Sequence, residues 1–243
     1  MAILKHQITK ILLTSLFFAL VLVGTAKVAI ADGNPLWIRQ MGTISTDEAH
    51  GVGVDSIGNV YVAGDTAGGL DGNTNLGGYD IVLVKYNKSG MKQWTVQTGS
   101  SSYDFAQGIV VGGNGDVFVV GNTSGGFDGN TNQGSDDLFL VKYDSSGVKQ
   151  WGGAKQMGTS GYDTARGVAV DGSGNVYVTG YTEGDLDGNT NVDPSGTTTD
   201  LFLVKFDITG MKIWTRQMGT ASNDEAHGAA LDFSGNIYII GLI

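Results

Sequence analysis

Three copies of one pentapeptide stand out: Asp71-Gly-Asn-Thr-Asn75, Asp128-Gly-Asn-Thr-Asn132 and Asp187-Gly-Asn-Thr-Asn191. Each places side-chain oxygens at positions 1, 3 and 5 of a loop. Calcium loops begin this way, because a hard cation collects six to eight oxygen ligands. The candidate ligands are Asp71, Asn73 and Asn75, then Asp128, Asn130 and Asn132 with Asp136 at position 9, then Asp187, Asn189 and Asn191. Two features depart from the EF-hand pattern. The glycine expected at position 6 is Leu76, Gln133 or Val192, and the bidentate glutamate at position 12 is missing. The alternative is a polar loop whose Asp and Asn side chains satisfy its own backbone.

A second set of residues recurs with one constant and one changing member. Asp47, Asp104, Asp163 and Asp224 are followed three residues later by His50, Gln107, Arg166 and His227. The constant aspartate suits a structural role, capping backbone amides where a strand starts. The changing position is the ligand-contact candidate. Two histidines in equivalent places could ligate metal, but a zinc site needs three or four ligands, so a solvated polar rim is the simpler reading. Tyr79, Tyr103, Tyr162 and Phe127 fall in nearby loops and are candidates for stacking on a sugar. Lys85, Lys142 and Lys205, one per repeat, suit pairing with nearby aspartates more than catalysis.

Composition narrows the chemistry. The 243 residues include 40 glycines, 2 prolines, 3 histidines and no cysteine. Disulfides, thiolate metal sites and a cysteine nucleophile are excluded. The net charge of -10 argues against a nucleic-acid partner, which needs clustered Lys and Arg. No G-x-S-x-G, H-E-x-x-H, P-loop or dinucleotide fingerprint occurs. Lys5, His6 and Lys10 precede the apolar stretch Ile11 to Val23, and Ala29-Ile-Ala31 follows. Residues 1–31 therefore read as a secretory leader, too short in its apolar part to serve as a membrane span. The mature chain would carry no membrane span and would be secreted, periplasmic or on a bacterial cell surface. Its net charge would be -13, since the leader holds three lysines and no acid.

The elements that must position these residues repeat. Trp37, Trp94, Trp151 and Trp214 are spaced by 57, 57 and 63 residues. Such a period calls for a repeat architecture. Each unit reads as four short strands. The first is Gly51-Val-Gly-Val-Asp55, and a tight Asp-x-x-Gly turn leads into Asn59-Val-Tyr-Val-Ala-Gly64. The third, Asp80-Ile-Val-Leu-Val-Lys-Tyr86, is apolar on both faces, and the fourth surrounds the tryptophan, which should pack between blades. The expected fold is all-β: a β-propeller of four-stranded antiparallel blades, three complete and a fourth partial. The blades span about 47–98, 104–158 and 163–218, and the partial one combines 224–243 with 36–42, all within 32–243. The ring would be a small four-bladed propeller or part of a larger one, and the incomplete blade offers a surface for self-association. Terminal strands from both ends could share one closing blade.

The motifs DxxGNVYVxGxT, DxxLVKYDxxG, the tryptophan and QMGT together resemble the bacterial SBBP β-propeller repeat over about residues 36–243. The resemblance implies the fold and an exported setting, and little about activity. The leading expectation is a non-catalytic binding module that engages a protein or glycan through an acidic loop face, with calcium as a candidate loop-ordering ion. The alternatives are an extracellular hydrolase or lyase acting on a polysaccharide, and a structural repeat of a longer adhesin.

Overall fold

A computed structural model describes residues 21–22, 37–193 and 197–243. The leader reading lies outside the described residues, apart from β1 (Val21–Leu22), which pairs in parallel with β2 (Arg39–Gln40). Three antiparallel four-stranded sheets follow. Blade 1 is β3 (Asp47–Val54), β4 (Val60–Thr66), β5 (Asp80–Tyr86) and β6 (Lys92–Thr98). Blade 2 is β7 (Asp104–Val111), β8 (Val117–Thr123), β9 (Asp137–Tyr143) and β10 (Lys155–Met157). Blade 3 is β11 (Asp163–Val170), β12 (Val176–Thr182), β13 (Asp200–Phe206) and β14 (Lys212–Met218). A two-stranded sheet, β15 (Glu225–Leu231) and β16 (Ile237–Leu242), forms the partial blade 4.

The first two strands of blades 1, 3 and 4 are joined as the sequence predicts. Asp55 Oδ1 accepts the backbone N–H groups of Ile57 and Asn59, and its Oδ2 accepts from the Asn59 amide. Gly58 supplies φ +87° to close the turn. Asp171 and Asp232 repeat this arrangement. The core lies between blades. One cluster joins Tyr61, Ala63, Ile81 and Leu83 of blade 1 to Ala106, Val117, Phe139 and Tyr143 of blade 2. A second joins Phe118, Val120 and Leu138 to Ala165, Val176, Phe202 and Val204. Middle strands are therefore apolar on both faces, and every residue of β9 is buried.

The tryptophans dock across blade boundaries. Trp94 Nε1 donates to Ser145 O and Trp151 Nε1 to Ile208 O, each in the next blade. Their rings lie against Gly147 and Gly210, where a side chain would crowd Trp94 at 3.2 Å and strike Trp151 at 2.6 Å. The insertion Gly152-Gly153-Ala154 is a turn that holds Trp151 at φ +59° and delays the fourth strand to Lys155.

β2 belongs to a sheet separate from β15–β16. Trp37 stacks on Tyr86 and donates to Lys88 O, so it stands to blade 1 as Trp94 stands to blade 2. The described blades form an arc, and burial follows: β11, inside the arc, is mostly buried, whereas β3 at one end is mostly exposed. The lone fourth strand needs an unpaired third strand beside it, and β15–β16 supply only a first and a second.

Candidate functional site

In every blade the first strand carries one extra residue. Ala49 pairs with Gly64 and Gly51 with Ala63, which leaves His50 without a cross-strand partner. Gln107, Arg166 and His227 occupy the same bulge in β7, β11 and β15. A bulge bends the strand and re-aims its side chain. The bulge requires glycine opposite: a Cβ on Gly64, Gly121, Gly180 or Gly241 would lie 1.8 to 1.9 Å from the carbonyl oxygen of Glu48, Phe105, Thr164 or Glu225.

The bulges open on a cavity of about 440 Å³ at the inner strands. His50, Gln107 and Arg166 line it, with Tyr79 and Tyr162 from the loops. The structure thus brings together five of the eight residues read as ligand contacts. Tyr103 lies beside them, 51% exposed. It stacks on Phe105 with centroids 6.3 Å apart and planes at 13°, and Tyr79 is 5.2 Å from Phe105. His227 reaches the rim through Arg166, whose Nη1 lies 2.9 Å from His227 Nδ1. Phe127 is a correction. It is fully buried edge-to-face on Phe139, because the one-turn helix Phe127–Gly129 folds it into the core between blades 1 and 2.

Sequence reasoning missed a second ring of lining residues. Glu48 pairs across the strands with Asp65, Phe105 with Asn122, and Thr164 with Tyr181. All six face the cavity. A signal was present: these two positions change from repeat to repeat, while the flanking Asp, Ala and Gly do not.

The site is electrostatically mixed. His50 Nε2 lies 2.8 Å from Asp65 Oδ1, and the Asp65 side chain is 1% exposed. The contact with Asp65 raises the His50 pKa, and burial raises that of Asp65. On the opposite wall the Arg166 guanidinium lies 4.9 Å over the Tyr181 ring and 3.5 Å from Glu225. Asp136, the position 9 residue of the second pentapeptide loop, lines the cavity and accepts hydrogen bonds from Asn122 and Ser124.

The other two sets of repeated residues have defined partners. Asp104 accepts from the backbone and hydroxyl of Ser100 and from Thr123 Oγ1, tying the loop between blades to the end of the second strand. Asp47 and Asp163 do the same with Thr66 and Thr182. In the pentapeptide loops Asp71, Asp128 and Asp187 adopt φ of 53° to 56°. Asp71 pairs with Lys92, Asp128 with Lys149 and Asp187 with Lys212. Burial works to raise the Asp71 and Asp187 carboxyls, and hydrogen bonds led by the lysines outweigh it, holding both below the ordinary range. Asn73, Asn130 and Asn189 donate back to the carbonyl three residues earlier. Asn75 donates to Ala67 O, and Asn191 to Glu183 O and Thr198 O. The Asn132 amide lies 3.5 Å from Ser135 O. Among the described residues, no three His, Cys, Asp or Glu side chains converge on one point.

Four-stranded sheets set side by side, with their first strands innermost around a lined cavity, define a β-propeller. The chain belongs to the SBBP β-propeller repeat family, which matches residues 36–71, 93–128, 153–187 and 213–243. It is 24% identical over 262 residues to the uncharacterized WD repeat-containing protein L264 of Acanthamoeba polyphaga mimivirus, covering 88% of this chain and 19% of that protein. It is 27% identical over 206 residues to the regulatory protein FlaEY of Caulobacter vibrioides, covering 75% and 21%. The chain thus spans about a fifth of the length of these relatives. Among solved structures, a Bacteroides caccae protein of unknown function is similar with TM-score 0.46 and 10% identity over 79% of this chain and 53% of that one. A gluconolactonase of Xanthomonas campestris is similar with TM-score 0.34 and 14% identity over 79% and 69%. No helix among the described residues is long and apolar enough to cross a membrane.

Proposed function

We propose that this chain is an exported binding module whose ligand is a glycan held in the inner-strand cavity. One observation carries the reading: the positions that change between otherwise constant repeats converge on that cavity. Structural residues must suit every blade alike, whereas a single ligand presents a different group to each. Tyr79, Phe105 and Tyr162 offer flat apolar faces to sugar rings. Glu48 accepts from hydroxyls, and Arg166 donates. The basic, apolar, small-residue order of 1–31 supports export. Glycan-array screening followed by calorimetry tests the reading. Tyr79→Ala and Arg166→Ala should each weaken the best hit about tenfold or more, consistent with losses near 1.4 kcal/mol. Binding that both variants leave unchanged rejects it.

A second reading is favoured by the His50–Asp65 contact. A carboxyl with a raised pKa beside a histidine is equipped for acid–base work on a glycosidic bond. Product release from the bound glycan, abolished by Asp65→Asn, would replace the binding reading with a hydrolase or lyase.

A further inference from the structure

One carboxylate of the inner-strand cavity carries a charge that nothing beside it balances. Glu48, Asp65 and Asp136 line the cavity together with His50 and Arg166. Asp65 lies 2.8 Å from the His50 imidazole, and Glu48 lies 3.8 Å from the same nitrogen. Arg166 is met by Glu225 at 3.5 Å. Asp136 has neutral donors only, the Asn122 amide and the Ser124 hydroxyl. Among the described residues, no lysine, arginine or histidine pairs with it. Asp136 is also a position that changes between repeats: Tyr79 and Thr199 stand in its place in blades 1 and 3, each just before the constant Asp80 or Asp200. Its backbone bridges in parallel to Tyr162, as that of Tyr79 bridges to Tyr103. Both the Asp136 carboxylate and the Tyr162 ring line the cavity.

Within the glycan reading, on which this depends, we infer that the sugar in the cavity carries a free amine whose ammonium pairs with Asp136 beside Tyr162. A ligand that covers this wall takes the Asp136 charge out of water, which is costly unless the charge is paired. A neutral sugar brings only hydroxyls. A uronic acid brings a second negative charge to a wall that already holds Glu48 and Asp136, while the Arg166 guanidinium is engaged by Glu225. An ammonium suits both neighbours at once. It makes a charge-assisted hydrogen bond to the carboxylate, and the face of an aromatic ring attracts it. The ligand class is therefore an amino sugar that is not N-acetylated, since acetylation removes the charge.

Calorimetry on the full chain at pH 5.5, where the sugar amine is protonated, compares tetramers of glucosamine, N-acetylglucosamine, galacturonic acid and lysine. The glucosamine tetramer should bind about tenfold or more tightly than the N-acetylated one, as expected for one hydrogen bond between charged groups, and the galacturonic acid tetramer should bind most weakly. Added salt should weaken the glucosamine tetramer, because a half-exposed ion pair is screened. Asp136→Asn, checked for folding by circular dichroism, should erase the preference for glucosamine over N-acetylglucosamine. A merely structural Asp136 would leave that ratio where it was. Equal affinity of the two tetramers for the unaltered chain, or a preference that survives Asp136→Asn, would overturn the inference and leave the glycan reading standing. If none of the sugars binds, or if the lysine tetramer binds as tightly as the glucosamine tetramer, both fall together.

Discussion

Asp163 gives the sharpest energetic prediction. It is fully buried at the junction of blades 2 and 3, and a side chain on Gly158 would strike both it and Asp137. Burial, with the Asp137 charge adding to it, pushes its pKa up to about 6 from 3.8. The hydrogen bonds from Thr182 and Thr159 act in the other direction and are outweighed. An acid whose folded pKa is raised keeps its proton in the native state after the unfolded chain has lost it. Stability is therefore greatest below the unfolded value and falls as pH climbs to about 6. Roughly two pKa units at 1.36 kcal/mol each amount to about 3 kcal/mol. For a domain of this size that is on the order of 6 to 12 °C in melting temperature. Asp104 and Asp137 are raised by burial as well and act in the same direction. His50 extends the fall above pH 6.5, since its raised pKa stabilises the protonated side. Carboxyls held low, such as Asp55 and Asp171, lose stability only below their unfolded value, in a separate window. Thermal melts followed by circular dichroism from pH 4.5 to 7.5 should fall for the wild type. Asp163→Asn should remove the largest single part of that fall, while its amide oxygen still accepts from Thr159. A wild-type stability that rises across this window, or a variant profile parallel to the wild type, would refute the reasoning.

Three further outcomes follow from the packing. Gly121→Ala puts a carbon 1.8 Å from Phe105 O and 2.9 Å from the Phe139 ring, so the bulge must open, and denaturant melts should show a loss of roughly 3 kcal/mol. Phe127→Ala empties a fully buried site and should cost about 3 to 5 kcal/mol in the same assay, with glycan affinity unchanged once folded protein is selected. Because Lys92, Lys149 and Lys212 already neutralise the pentapeptide aspartates, millimolar calcium should leave the melting temperature unmoved. A rise of several degrees would mean that a cation displaces those lysines.

The blades were legible because their signals are local and repeated. Asp55, Gly58 and Asn59 encode a turn with three mutually satisfying partners, and the apolar run 80–86 leaves no polar face for water. The bulge residues were found because they change while Asp47 and its equivalents do not. Asp65, Asn122 and Tyr181, the cross-strand neighbours of Glu48, Phe105 and Thr164, escaped notice because facing the cavity depends on strand register, which a one-residue bulge shifts. Phe127 was misplaced for a related reason. A loop surrounded by Gly, Asp and Asn reads as exposed, and only the turn geometry at Asp128, with φ 53°, swings the aromatic inward. Alternating Asp and Asn suits a cation, and the lysine that pairs with Asp128 could not be read from the loop itself, because Lys149 lies 21 residues along the chain.

The most direct test of the central claim is a crystal structure of the chain soaked with the tightest glycan from the array. The account predicts sugar density in the inner-strand cavity, with a ring against Tyr79 or Phe105 and hydroxyls within hydrogen-bond reach of Glu48 and Arg166. Density confined to the outer strands or the hairpin turns, with the cavity empty, would contradict it.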